Sequence, residues 1–140
     1  SSVTVDNKVI GKIGKGFMVL IGVGQNDTRE IADKMVKKMV GLRIFEDEND
    51  KMNLSVKDVN GKILLVSQFT LLGDARHGRR PSFSHAARPE LAEPLCDQLR
   101  DQLNAHGIET LTGRFRTHME VDLLNDGPVT ILLDTDDLCR

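Results

Sequence analysis

Ile63-Leu64-Leu65-Val66-Ser67-Gln68-Phe69-Thr70-Leu71-Leu72 is the longest nearly unbroken apolar stretch of the chain, and its reading decides the fold. It does not alternate as a half-exposed strand would, so it reads as a central strand buried on both faces. On its N-terminal side, Val3–Val5, Val9–Ile13 and Phe17–Val23 are short apolar runs. Asp6-Asn7-Lys8 and Gly14-Lys15-Gly16 separate them, which predicts a meander of strands. A helix is expected next. Asp27 is its N-cap, with Glu30 three residues on completing a capping box, and Gly41 is the stop. Ile31, Met35 and Met39, with Val36 and Val40 beside them, supply the helix's inward face. Leu42–Phe45 reads as a strand and Glu46–Lys51 as a polar turn.

On the C-terminal side, Gly73–Arg88 is a polar loop, long for a compact domain, and such loops often carry function. The recurrence of Leu91, Leu95, Leu99 and Leu103 predicts a second helix from Pro89 to His106, ended by Gly107. Pro94 must either delay its start or bend its first turns. Ile108–Leu111, Phe115–Leu124 and Val129–Leu133 read as closing strands. The order β-β-β-α-β-β-α-β-β-β over residues 1–140 describes one α+β domain. Helices on one side of a largely antiparallel sheet are the expected packing.

Composition narrows the function. With 140 residues, 39% apolar and 29% charged, the chain suits a soluble globular domain. No apolar run approaches a membrane span and no signal-peptide pattern opens the chain, so a cytoplasmic home is expected. Cys96 and Cys139 are too few for a disulfide framework. His77, His85, His106 and His118 show no metal-ligand spacing, and no metal or cofactor is expected. Gly11, Gly14, Gly16, Gly22 and Gly24 do not form a dinucleotide fingerprint. Glu46, Asp47, Glu48 and Asp50 read as solvent charge in a turn, or as a weak cation site. The net charge of −2 gives no global field for nucleic acid, so an anionic ligand must be held by a local patch. The chain opens without methionine inside a strand-like run, and a preceding strand is therefore expected.

Three segments carry candidate chemistry. Ser67-Gln68-Phe69-Thr70 places two hydroxyls and an amide where the central strand leaves the core. The plain alternative is a strand exit with polar residues at its mouth. No Gly-x-Ser-x-Gly elbow surrounds Ser67 and no histidine stands at a readable spacing, which argues against a protein nucleophile. Arg76, His77, Arg79, Arg80, His85 and Arg88 crowd one loop, flanked only by Asp74 and Glu90. That is either a solvated face or a contact for phosphates, which Lys12 and Lys15 would extend. Asn125-Asp126-Gly127-Pro128 lies between two apolar runs. It is either a hairpin turn or a rigid device that presents backbone carbonyls to a ligand.

Ser67-Gln68-Phe69-Thr70-Leu71, Arg80-Pro81-Ser82-Phe83, Thr112-Gly113-Arg114-Phe115 and Asn125-Asp126-Gly127-Pro128-Val129-Thr130 together resemble one family. It is that of the D-aminoacyl-tRNA deacylases, formerly the D-tyrosyl-tRNA deacylases. The likeness extends to Arg43-Ile44-Phe45 and Lys51-Met52-Asn53-Leu54, and so spans essentially the whole chain. The resemblance implies largely antiparallel sheets forming a barrel-like core with two helices packed outside. It implies a homodimer whose active sites lie at the interface, acting on aminoacyl-tRNA and on neither membrane nor DNA. Ser67, Gln68, Phe69 and Thr70 would line the catalytic pocket. Gly127 and Pro128, joined by a cis bond, would enter the partner's pocket, hold the substrate's amino group and exclude an L side chain. Asn125 and Phe83 would help bind substrate, Thr130 would brace the turn, and Arg76, Arg79 and Arg80 would contact tRNA. The reaction implied is hydrolysis of D-aminoacyl-tRNA, and of glycine on tRNA, helped by the terminal 2′-hydroxyl and main-chain donors. Two departures from the family are visible: its opening Gln-Arg-Val strand is absent, and Arg116, Thr117 and His118 replace small residues. Two other readings stay open: a trans Gly-Pro relative that accepts L-aminoacyl esters, and a binding module without turnover.

Overall fold

The computed structural model describes residues 1–138; Cys139 and Arg140 lie outside the described residues. Strands β1 (Ser2–Val5) and β2 (Lys8–Lys12) form a hairpin. Its Asp6-Asn7 turn has φ of 50° and 65°, the two positive angles of a type I′ connection. Strand β3 (Gly16–Ile21) leads to helix α1 (Arg29–Gly41). The N-cap is Thr28, whose hydroxyl accepts from the Ile31 N–H at 3.3 Å, and not the expected Asp27. Asp27 Oδ2 instead accepts from the Gly24 N–H at 2.7 Å, so the cap falls to the next residue and the Asp27–Glu30 box does not form.

After α1 come β4 (Phe45–Glu46), β5 (Met52–Leu54) and β6 (Lys62–Ser67). The expected strand over Leu42–Phe45 shrinks to the edge of this small hairpin. Helix α2 (Pro89–Ala105) begins with Pro89 and continues through Pro94. Then follow β7 (Thr110–Thr112), β8 (Glu120–Asp122) and a short third helix, α3 (Thr135–Leu138).

The decisive stretch is central, as its composition demands. In β6, Ile63 and Leu65 face the helices, packed with Val36, Met39, Leu95, Leu99 and Leu103. The alternate residues Leu64 and Val66 face Val3 and Ile13 on the other side. All four are at most 2% exposed, so both faces of the strand are covered and neither can be polar. Each buried aliphatic side chain stabilises by about 1.5–3 kcal/mol. The result is three layers: α1 and α2, a middle sheet in the order β3-β6-β7, and an outer sheet in the order β2-β1-β8.

Three expectations need correction. The outer sheet and the β4-β5 pair are antiparallel as expected, but β6 runs parallel to both β3 and β7. Helices α1 and α2 are the crossovers that parallel neighbours require. The sheets stay open and do not close into a barrel. Of the closing strands, Phe115–Leu124 pairs only over Glu120–Asp122, and Val129–Leu133 forms no strand. β-forming composition in that segment does not produce a sheet partner, and the short helix α3 follows it.

Candidate functional site

The last rung of the middle sheet builds the site. Gln68 N–H donates to the Ile21 carbonyl at 2.7 Å, and the backbone then leaves the strand at Gln68 with φ −140° and ψ 80°. Phe69–Leu72 coil into a 3-10 turn, so the expected strand over Ile63–Leu72 stops at Ser67. The turn closes through Leu71 N–H to the Gln68 carbonyl at 3.1 Å and Gly73 N–H to the Thr70 carbonyl at 3.0 Å. It sits outside the carboxyl end of parallel strands, where open α/β sheets commonly bind ligands. Gly22 permits its close approach: a Cβ there would lie 3.1 Å from Leu71 Cβ and 3.3 Å from the Gln68 carbonyl oxygen.

Gln68 Nε2 donates to the Thr70 hydroxyl. Phe69 meets Phe83 edge-to-face, with ring centroids 5.2 Å apart and planes at 73°. Gly73 fits beneath that ring, where a Cβ would meet Phe83 Cε1 at 2.8 Å. Thus Gln68, Phe69, Thr70 and Phe83 form one exposed cluster of neutral hydrogen-bonding groups and aromatic edges. Ser67 lies beneath it, lining a 210 Å³ cavity with Cys96, Thr112, Gly113, Arg114, Phe115 and Met119. Burial pushes the Cys96 thiol pKa up, so this thiol is a poor nucleophile at neutral pH. None of the described hydrogen bonds joins a histidine side chain to Ser67 or Thr70. An activated Ser–His pair is therefore not formed among the described residues.

The basic loop is more ordered than its composition indicates. Asp74 and Ser82 exchange backbone hydrogen bonds at 2.7 and 2.8 Å, closing residues 74–82 into a finger. Its base is docked: Gln25 N–H donates to the His85 carbonyl, Ala87 N–H to the Val23 carbonyl, and Gln25 Nε2 to the Ser84 carbonyl. Arg76 turns back onto Asp74, with Nη2–Oδ2 at 2.7 Å and Nε–Oδ1 at 2.9 Å. The guanidinium and the Arg76 N–H hold the Asp74 carboxyl below the usual carboxylate range. Arg79 and Arg80 are exposed and take part in no ion pair among the described residues. Lys15 Nζ lies over the Phe45 ring, 5.6 Å from its centroid.

Gly127-Pro128 is a cis peptide. Asn125 braces the loop from inside, accepting from the Val129 N–H at 3.0 Å and donating Nδ2–H to the Thr130 hydroxyl at 3.1 Å. Those are the only hydrogen bonds within residues 123–133 among the described residues, and none reaches Gln68 or Thr70. Residues 120–128 are all exposed. The chain therefore brings Ser67, Gln68, Phe69, Thr70 and Phe83 together, and leaves Gly127 and Pro128 apart from them by every described hydrogen bond. The acidic turn proves local: Asp47 Oδ1 accepts from the Asn49 and Lys51 N–H groups at 2.8 and 3.1 Å, which lowers its pKa. Composition hid the contributions of Gly22 and Gly73: Gly73 directly follows the turn, but Gly22 follows β3 and meets the turn only in space.

Fold and candidate site define a small α+β domain with uncharged groups at the carboxyl end of parallel strands. The family model described as D-Tyr-tRNA(Tyr) deacylase matches residues 1–134. A D-aminoacyl-tRNA deacylase of Symbiobacterium thermophilum is 55% identical, covering 96% of this chain and 89% of the relative. One from Clostridioides difficile is 56% identical, covering 96% and 91%. A solved structure named c-Myc DNA Unwinding Element Binding Protein is 40% identical, with a TM-score of 0.87 over 95% of this chain and 91% of its own. The chain belongs to the D-aminoacyl-tRNA deacylase family, as the four sequence motifs implied. It is accordingly a hydrolase of an ester bond.

Proposed function

We propose that this protein is a cytoplasmic proofreading enzyme that frees tRNA from D-amino acids, and from mischarged glycine, as a homodimer with shared sites. Water attacks the ester carbonyl carbon and the acyl–oxygen bond breaks; one water proton passes to the ribose oxygen, the other is released to solvent, and the amino acid leaves as a carboxylate. Ser67, Gln68, Phe69 and Thr70 orient the ester, Phe83 covers it, and main-chain N–H groups steady the developing oxyanion. The terminal 2′-hydroxyl assists, so no side chain need become a nucleophile. The observation that carries this reading is the neutral character of the cluster: hydroxyls, an amide and two rings, without an activated base.

Handedness is screened by shape. The Gly127 and Pro128 carbonyls of one subunit accept from the substrate's ammonium in the other subunit's pocket and leave no room for an L side chain. The Asn125 brace supports this role by fixing the loop. Dimerisation is supported by Leu123, Leu124, Ile131 and Leu132, which flank the loop and are 49%, 80%, 48% and 88% exposed. Arg79 and Arg80 meet tRNA phosphates. No described helix is long and apolar enough to cross a membrane.

The test is release of amino acid from D-tyrosyl-tRNA and L-tyrosyl-tRNA. The D ester should be cleaved about a hundredfold faster or more, as expected for rejection by sterics and unpaired polar groups. Equal rates would end the chiral reading. Release from neither would favour a binding module, the alternative that the DNA-binding name of the 40% identical relative brings forward.

A further inference from the structure

We propose that Asp74 and Arg76 are positioning residues: their ion pair is an internal strut that holds the 74–82 finger in the shape in which Arg79 and Arg80 engage tRNA phosphates. This rests on the deacylase reading above and changes the expected part of Arg76, from phosphate ligand to scaffold.

The geometry separates the three arginines. Arg76 is folded back within its own loop, contacting both carboxylate oxygens of Asp74 at 2.7 and 2.9 Å, while its backbone N–H donates to Oδ1 at 3.0 Å. A bidentate fork in this arrangement has its best carboxylate partner already and would have to leave it to meet a phosphate. Arg79 and Arg80 lie within the loop that the paired backbone hydrogen bonds between Asp74 and Ser82 close, both are exposed, and neither is ion-paired among the described residues. Both ends of the finger are tied to the candidate site. Asp74 follows Gly73 at the end of the 3-10 turn, and Ser82 precedes Phe83, whose ring meets Phe69. A pinned finger reaches phosphate with less ordering cost than a free loop of the same charge, because its side chains begin near their bound positions.

The pair's role is tested with the net-neutral variant Asp74→Ala/Arg76→Ala, assayed on D-tyrosyl-tRNA and on D-tyrosyl-adenosine, which carries the ester without phosphates. If the pair is a strut, removing it should raise KM for the tRNA substrate about threefold to tenfold. It should leave kcat, and the rate on the short substrate, within about twofold. The slope of log KM against log salt should not change, whereas Arg79→Ala should reduce it by about 0.7–0.9 for each phosphate that is no longer neutralised. The charge-exchanged variant Asp74→Arg/Arg76→Asp, which restores the pair, should recover most of the affinity. A salt slope reduced by about 0.7 or more in the double-alanine variant would make Arg76 a phosphate ligand and overturn the strut. Unchanged KM, or equal damage on both substrates, would overturn it as well. Binding of uncharged tRNA is measured in parallel by filter retention. A wild-type protein that binds tRNA but cleaves neither ester would refute the deacylase reading, while the same variants still decide the strut through Kd.

Discussion

On the proposed homodimer, replacing Leu124 and Leu132 by alanine should yield monomers and abolish hydrolysis together. The two side chains are 80% and 88% exposed in the single chain, so the substitutions remove almost nothing from its core. Burying each at an interface between subunits is worth about 2 kcal/mol from its apolar area. A two-fold axis presents each leucine twice, so the four together contribute about 8 kcal/mol, near six decades in the dimer dissociation constant. Imperfect burial could halve that and still leave about three decades, enough to dissociate a nanomolar dimer at micromolar concentration. Sedimentation velocity across a dilution series reads the dissociation constant, circular dichroism confirms the monomer's fold, and release of amino acid from D-tyrosyl-tRNA reads activity. Activity should fall in proportion to the dimer fraction and return at high protein concentration. A folded monomer with full activity, or a double variant that dimerises like wild type, would refute the shared-site reasoning.

Other substitutions probe the cluster itself. Ser67→Ala should keep activity within about tenfold, whereas a loss beyond about 10³-fold is the scale of a true catalytic side chain and would restore a nucleophile to the mechanism. Phe83→Leu removes the edge-to-face packing on Phe69, worth about 0.5–1.5 kcal/mol, and should lower kcat/KM about threefold to tenfold. The Asp74–Arg76 pair has a pH signature. Its carboxyl is depressed in the folded protein, so the interaction is present at neutral pH and is lost as pH falls through that lowered value. The Arg76 Nε–H chemical shift should therefore stay constant from neutral pH through the ordinary carboxylate range and move only below it; a change near neutral pH would contradict the assignment.

The elements that proved legible were those whose side chains face a single chain's core. Ile63–Val66 announced a doubly buried strand, and Leu95, Leu99 and Leu103 announced the buried stripe of α2. Direction was not legible. Apolar strands look alike whether parallel or antiparallel, and the run into Phe69–Leu72 hid a turn made of the same residue types. The N-cap of α1 went to Thr28 because Asp27 was taken by a hydrogen bond three residues back, a competition invisible in spacing. Val129–Leu133 has a strand's composition without a strand's partner among the described residues, and leaves Ile131 and Leu132 exposed. For the candidate site, the exit of the central strand at Ser67–Thr70 was legible, and the structure turns the backbone there. The finger was not, because a charge run gives no sign that Arg76 folds onto Asp74.

Subunit mixing gives the sharpest test of a pocket completed across two chains. One variant, Gln68→Ala/Thr70→Ala, spoils the turn; the other, Gly127→Val/Pro128→Ala, spoils the cis loop. Each homodimer should be inactive on D-tyrosyl-tRNA. After random exchange, half the dimers are hybrids with one intact site each, and about a quarter of wild-type activity should return. Mixtures that never exceed the sum of the two inactive proteins, despite verified exchange, would show that turn and loop do not meet across subunits.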